Sequence, residues 1–298
     1  MLIVPQSPID IVETNVPEYE TNIDIYIPEN NKVYNKDEET QYGDTIYKCM
    51  KDGTTGIEPG TNSLIWYPQS KTNRHRIFDA KMSSGTSNLN SIQYKFNVGD
   101  VDTVAFFGLN AKSVRVIIRD ANDNILYEQT RETIIRFVTN WYDWTYTKAK
   151  ERKAAHFRNL PMVYNATMEV IIDNAETTAT CTHIAFGTST DIGITLLNPS
   201  PIVSVRNIIP KTKNDKGVVI TDKSMTYKRV VANVLVSNDL IDEIQEQLDL
   251  LNAQVCLFIA DEREEGYASL LIFGLYKDFD IPIGYEKSIY QIEIEGVV

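Results

Sequence analysis

The sequence predicts a mainly β protein built from three units, and three observations carry that prediction. Between residues 69 and 197 short apolar or alternating runs follow one another: SIQYKFNV, TVAFFGL, SVRVIIRD, NILYEQT, TMEVIIDN and CTHIAFGT. Turn-rich pieces such as VGDVD, DANDN and DNAETTA separate them, which is the spacing of a β-sandwich or jelly roll. Only the stretch NDLIDEIQEQLDLLNA repeats its apolar residues at helical intervals. The hydrophobic share of 43%, with Tyr, Phe, Val and Ile prominent, is that of a chain able to bury cores. A length of 298 residues divides naturally into two or three of them.

Residues 1–34 carry four prolines and many acidic residues among short alternating pieces such as IDIYI, and read as an extended arm lying on this chain or on a neighbour. Residues 35–68 read as a small β unit, with bulk from Tyr42, Ile46, Tyr47 and Trp66 and turns at DGTTG and PGTN. Residues 69–197 are the predicted jelly roll, broken once by the polar TKAKERKAA, which suits a short helix or an exposed loop. Residues 198–298 predict an α+β unit with one helix on an antiparallel sheet. Its strands are YKRVVANVLVS, VCLFIA, ASLLIFGLY and SIYQIEIEGVV, and Leu240, Ile241, Ile244, Leu248 and Leu251 form the helix's apolar stripe. Ser237 or Asn238 is placed to cap it. The lysine-rich IIPKTKNDKGVVITDKS, which contains Lys211 to Lys223, reads as a mobile or partner-ordered excursion.

Charge narrows the function. A net charge of −12 argues against broad affinity for nucleic acid or an anionic membrane, both of which need basic surface. No run of eighteen apolar residues predicts a membrane span, and MLIVPQSPIDIVETNVPEYE lacks the basic start of a signal peptide. Cys49, Cys181 and Cys256 are scattered and odd in number, as expected of small buried hydrophobes in a reducing compartment such as cytoplasm.

Patterns of chemistry are scarce. The sequence has no glycine-rich phosphate loop, no paired Cys-x-x-Cys, no His-Glu-x-x-His and no nucleophile elbow. His75, His156 and His183 stand alone, so no catalytic residue, cofactor or metal is expected. Glu293 and Glu295 alternate with isoleucines on one solvated strand face, and DANDN (Asp120 to Asn124) reads as a β-turn. A sugar stacks its C–H groups on an aromatic face, which makes exposed rings the candidate ligand sites. They fall in two clusters: Tyr42, Tyr47, Trp66 and Tyr67, and then Trp141, Tyr142, Trp144 and Tyr146. The second cluster could equally plug the jelly roll. In TNRHRIFDAK, Arg74 or Arg76 is placed to pair with Asp79 or with backbone carbonyls, locking the junction between the small unit and the jelly roll.

Two resemblances bear on these pieces. GDTIYKCMKDGTTGIEPGTNSLIW resembles the small chitin-type carbohydrate-binding modules, through Gly43, Asp44, Tyr47, Pro59, Gly60 and Trp66. The order of TNVPE (Thr14 to Glu18), this module, TNRHRIFD, HIAFGTSTDIG and LNAQVCLFIADE through YQIEIEGVV resembles a family of tailed-bacteriophage virion proteins. That resemblance implies a structural component of the tail, neck or baseplate with a galactose-binding-like jelly roll and no enzymatic activity. It also implies a protein made in host cytoplasm. Its expected partners are copies of itself in a symmetric ring and adjoining tail or fibre proteins. The alternative expectation is a glycan-binding module that attaches the phage to its host. A depolymerase is a third, for which no carboxylate pair stands out.

Overall fold

The computed structural model describes the chain except residues 136–139, 147–149, 209–210, 214–218, 222–224, 262, 264–265 and 298. The protein is mainly β. A small four-stranded module, a jelly-roll sandwich and a C-terminal sheet with one long helix account for its cores.

The jelly roll pairs a five-stranded antiparallel sheet with a three-stranded one. The larger sheet runs in the order Ile125–Glu132, Ser113–Arg119, Ala166–Cys181, Thr86–Val98 and Ile11–Thr14. The smaller has Thr103–Phe107 between Ala154–Phe157 and His183–Gly187. Because side chains alternate across a strand, Ile92, Tyr94, Phe96 and Val98 all enter the sandwich core, as do Met168, Val170 and Ile172. Their neighbours face solvent, which gives these strands their alternating sequence.

The smaller sheet reads differently because both of its faces are covered. Val104, Phe106, Ile184 and Phe186 point into the sandwich. Ala105, Phe107 and Ala185 point the other way, onto Leu2, Val4, Leu257, Ile259, Leu271 and Phe273 of the C-terminal sheet. That second sheet is again covered twice: Met1, Ile3, Cys256, Phe258 and Ile272 lie on its far face, under the helix Ile241–Leu250. The result is four stacked layers of sheet, sheet, sheet and helix. The continuous apolar runs TVAFF, HIAFG, LIVP and CLFI are the strands of the two inner layers. Gly187 marks the closest approach between layers, since a Cβ there would strike the carbonyl of Pro5.

The eight-stranded C-terminal sheet draws on distant parts of the chain. Leu2–Pro5 pairs with Cys256–Ile259 and with Thr190–Asp191, so the first strand lies inside the last unit. Residues 1–34, expected as an extended arm, are indeed extended and lie on this chain. They supply one strand to each unit in turn: Leu2–Pro5 to the C-terminal sheet, Ile11–Thr14 to the jelly roll and Asp24–Ile25 to the small module. Its first four residues, Met1 to Val4, are buried within this chain.

The C-terminal helix buries Ile241, Ile244, Leu248 and Leu251 as the stripe required. Leu240 is the exception: it sits in the 3-10 turn Asn238–Leu240, out of phase with the stripe, and is exposed. Neither proposed cap is one, because no side chain caps the entry. Asn238 instead reaches the Gly284 carbonyl at 2.7 Å and accepts from the Ser288 hydroxyl at 2.7 Å, tying the helix entrance to the last hairpin. The lysine-rich segment is partly strand, Lys211–Lys213 pairing with Val219–Thr221; Lys223 and the residues between these strands lie outside the described residues. Arg229 and Glu293 pair side by side on the solvated strand face, with Lys277 bridging toward Glu295 at 3.7 Å.

His183 and His156 both sit where the jelly roll meets the C-terminal sheet. The His183 ring lies 4.1 Å from that of Phe273. His156 shares a small cavity with Ala268 and Leu271. Burial pushes both imidazoles down to about 4, helped at His156 by Arg131 and Arg158. An unfolded histidine takes its proton near 6.5, so the unfolded state binds more protons below that pH. Both residues therefore leave stability intact above pH 6.5 and erode it as pH falls toward 4. Thermal melts should drop steeply across that window, and His183→Phe should flatten the slope. An unchanged slope in that variant would remove His183 from the account.

Candidate functional site

The small module shows what its aromatics do. Its core is Tyr26, Tyr34, Cys49 and Trp66, with Tyr42 and Tyr47 packed at the edge. Trp66 is 1% exposed, and its indole N–H donates to the Ile57 carbonyl at 2.9 Å. Tyr34 meets it edge-on at 5.2 Å. This corrects the expectation that Trp66 offers a stacking face: a module this small needs its largest side chain as core. Tyr42 is half-buried, edge-on to Tyr26 with its hydroxyl on Glu58, and Tyr47 is half-buried beneath the turn at Gly60. Gly60 has φ +90, and a Cβ there would sit 3.0 Å from the Tyr47 hydroxyl, so the Pro-Gly turn is a packing requirement. Tyr67 alone of the four is exposed. The quartet forms no shared platform.

The junction is a lock with a different bolt. Arg76 donates from Nη2 to Glu20 Oε1 at 2.6 Å and from Nε to the Lys71 carbonyl at 3.1 Å. Glu20 Oε1 also accepts the Asn73 amide at 3.0 Å, while the Glu20 backbone is held by Gln41 of the small module. Asp79, the partner expected from sequence, is used locally instead, accepting from the Lys81 amide at 3.0 Å and the Ser84 hydroxyl at 3.3 Å. Arg74 contributes its carbonyl, which accepts from the Tyr94 hydroxyl at 2.6 Å, and its Nε is buried without a partner. Thr86 closes the jelly-roll side by donating to the Asn73 carbonyl and accepting the Ile77 amide. Glu20 escaped sequence reasoning because it lies 56 positions from Arg76. Arg76→Ala should cost roughly 2 kcal/mol by leaving a mostly buried carboxylate unpaired, and Arg76→Lys should not fully restore it, because one ammonium cannot reach both acceptors. Denaturant melts with hydrogen exchange across residues 71–79 check this.

The second aromatic cluster is where the surface departs from the ordinary. Trp141–Tyr146 is a six-residue helix, started by the Asn140 side chain accepting the Asp143 amide at 2.9 Å. Along the chain it falls between two paired strands, Ile134–Ile135 and Lys150–Glu151. It does not plug the jelly roll. Trp141, Tyr142, Trp144 and Tyr146 are 77%, 59%, 65% and 66% exposed. Tyr142 and Tyr146 lie 4.7 Å apart, and Trp141 meets Tyr142 edge-on at 6.3 Å. Four large rings are thus exposed on one short helix, three of them in contact with one another.

The remaining sequence candidates are structural. Cys49, Cys181 and Cys256 are free and buried, and burial pushes the Cys181 and Cys256 thiols up to about 12 and about 11. Those values belong to unreactive thiols. The Asp120 carboxylate accepts the amides of Asn122 and Asn124 at 2.8 and 2.9 Å, closing the turn that the sequence suggested. His75 accepts or donates to Thr72 at 3.1 Å within the junction.

No protein-family model matches the sequence, and no curated protein is similar to it. Among solved structures, a histidine mutant of the lectin binding domain of lectinolysin, complexed with Lewis b, is similar at 10% identity. The match covers 39% of this chain and 84% of that one, with a TM-score of 0.27. A likeness that slight assigns neither a shared fold nor a ligand.

Proposed function

We propose that this protein is a structural subunit of a tailed-phage virion, placed in the tail, neck or baseplate, and that it works by burying surface against copies of itself and adjoining proteins. The observation that carries the assembly reading is the exposure of the four rings on the Trp141–Tyr146 helix. Rings of that size each bury on the order of 150–250 Å² when covered, worth a few kcal/mol per ring at about 25 cal/mol per Å². Leaving four of them in solvent on an acidic chain is the signature of a contact that forms later. Ile202 on the edge strand Ile202–Ile208, and Ile283 and Tyr285 in the last hairpin, add further exposed apolar surface. The phage context and the ring both rest on the sequence resemblance; heterologous contacts form a ring when their rotation closes.

Fluorescence gives a direct test. The chain has three tryptophans, of which Trp66 is buried while Trp141 and Trp144 are on the helix. Assembly should shift emission to shorter wavelength. Replacing Trp141, Tyr142, Trp144 and Tyr146 with serine should leave the melting temperature within a degree or two and abolish incorporation into particles. Normal incorporation of that variant would refute the reading.

The same exposed rings favour a second reading, in which the helix and not the small module binds host-surface glycan. Titration with host polysaccharide fragments would then quench Trp141 and Trp144 but not Trp66, and Tyr67→Ala would be without effect.

A further inference from the structure

A cleft of about 600 Å³ opens between the jelly roll and the C-terminal sheet, and its chemistry is one-sided. Phe107 and Phe273 form part of its floor, while Val203 and Val205 of the edge strand Ile202–Ile208 stand at its mouth, 38% and 66% exposed. Two lysines line it, Lys153 and Lys228, and among the described residues no aspartate or glutamate does. In a chain of net charge −12, a cleft with only positive side chains runs against the average of the surface. Its size is that of a small-molecule site, mostly apolar with a few fixed polar groups.

Lys228 is the fixed group. Its ammonium donates to the Ala268 carbonyl at 3.0 Å and the Leu271 carbonyl at 2.7 Å. These bonds hold the side chain in place, leave one of three donors uncommitted, and supply no negative charge. Burial lowers its pKa to about 8, with no carboxylate acting against the shift. A half-buried cation held by carbonyls alone gains from an anion that brings its own apolar cover.

We infer that this cleft binds an amphiphilic monocarboxylate, its carboxylate on Lys228 and its hydrocarbon chain along Phe107, Phe273, Val203 and Val205. The assignment is independent of the virion reading. Charge complementarity selects the head group, since a neutral or cationic amphiphile would leave Lys228 as it is or repel it. The apolar walls select the tail. Lys153, exposed at the rim, draws the same sign of charge without fixing it.

The test is calorimetric titration of the full chain with decanoate, decanol and decylammonium, each below its aggregation concentration. Decanoate should bind about tenfold or more tightly than decanol, the worth of a charge-assisted hydrogen bond, and decylammonium should not bind. Lys228→Met should remove the preference for decanoate over decanol. Because that substitution also removes two bonds to backbone, Val205→Glu serves as a second variant: at an exposed mouth position it leaves the fold intact and should weaken decanoate about tenfold by repulsion. Equal binding of decanoate and decanol, decanoate affinity unchanged in Val205→Glu, or no binding of decanoate would each overturn the assignment.

Discussion

Trp66→Ala should unfold the small module while the rest of the protein stands. The substitution removes the largest member of a core whose other buried members are Tyr26, Tyr34 and Cys49, with half-buried side chains such as Tyr42 and Tyr47 at its edge. Phe or Trp truncations in cores cost about 3–5 kcal/mol, and a module with four buried members has little else to hold it. The Ile57 carbonyl would also lose its indole donor. Hydrogen exchange should become fast over the strands Glu39–Tyr42, Thr45–Cys49 and Trp66–Lys71, with the jelly-roll strands unchanged. Tyr67→Ala, on the exposed side of the same strand, should leave exchange alone. Uniform protection in Trp66→Ala would mean that the aromatic core is not what holds the module.

Leu257→Asp should separate the layers. Leu257 is fully buried in the cluster that joins the jelly roll to the C-terminal sheet, among Phe107, Ala185, Leu271 and Phe273. A carboxylate there has no partner and no route to water, so its pKa must rise or the sheets must part. The cost is on the order of 5 kcal/mol or more, at or above the upper end of the roughly 2–5 expected of Leu257→Ala. The expected readout is loss of cooperative unfolding: the jelly roll and the C-terminal unit should melt separately, and dye binding should report newly exposed apolar surface. A single transition at the wild-type temperature would show that the interface contributes little.

The two inner layers explain both what the sequence disclosed and what it withheld. TVAFF and CLFI are readable as buried strands because every residue after Thr103 in the first, and every residue of the second, is apolar, but nothing in such a run says which face meets which core. The alternation in SIQYKFNV states its inward face directly, and Tyr94 and Phe96 are found there. The C-terminal helix was legible from Ile241, Ile244 and Leu248, whereas its entrance was not, because Asn238 bonds to a hairpin 46 positions away. Long-range pairing hid the rest. Leu2–Pro5 joins strands some 250 residues downstream in a sheet whose order no local pattern encodes.

The candidate sites divide along the same line. An aromatic is a ligand face or a core according to exposure, and exposure depends on what packs above it. Trp66 and Trp141 look alike in sequence, each beside a tyrosine, yet one is 1% exposed and the other 77%. Tyr26 and Tyr34, from the segment read as an arm, are what cover Trp66. At the junction Arg76 reaches the Lys71 carbonyl, while its acidic partner is Glu20 in place of Asp79, hidden by the same distance along the chain.

A cryo-electron reconstruction of intact particles assembled with this protein tests the assembly reading most directly. The account predicts several copies related by rotation around the particle axis, with Trp141–Tyr146 covered by a neighbouming chain. Particles with no density for the protein, or copies whose aromatic helix faces open solvent, would contradict it.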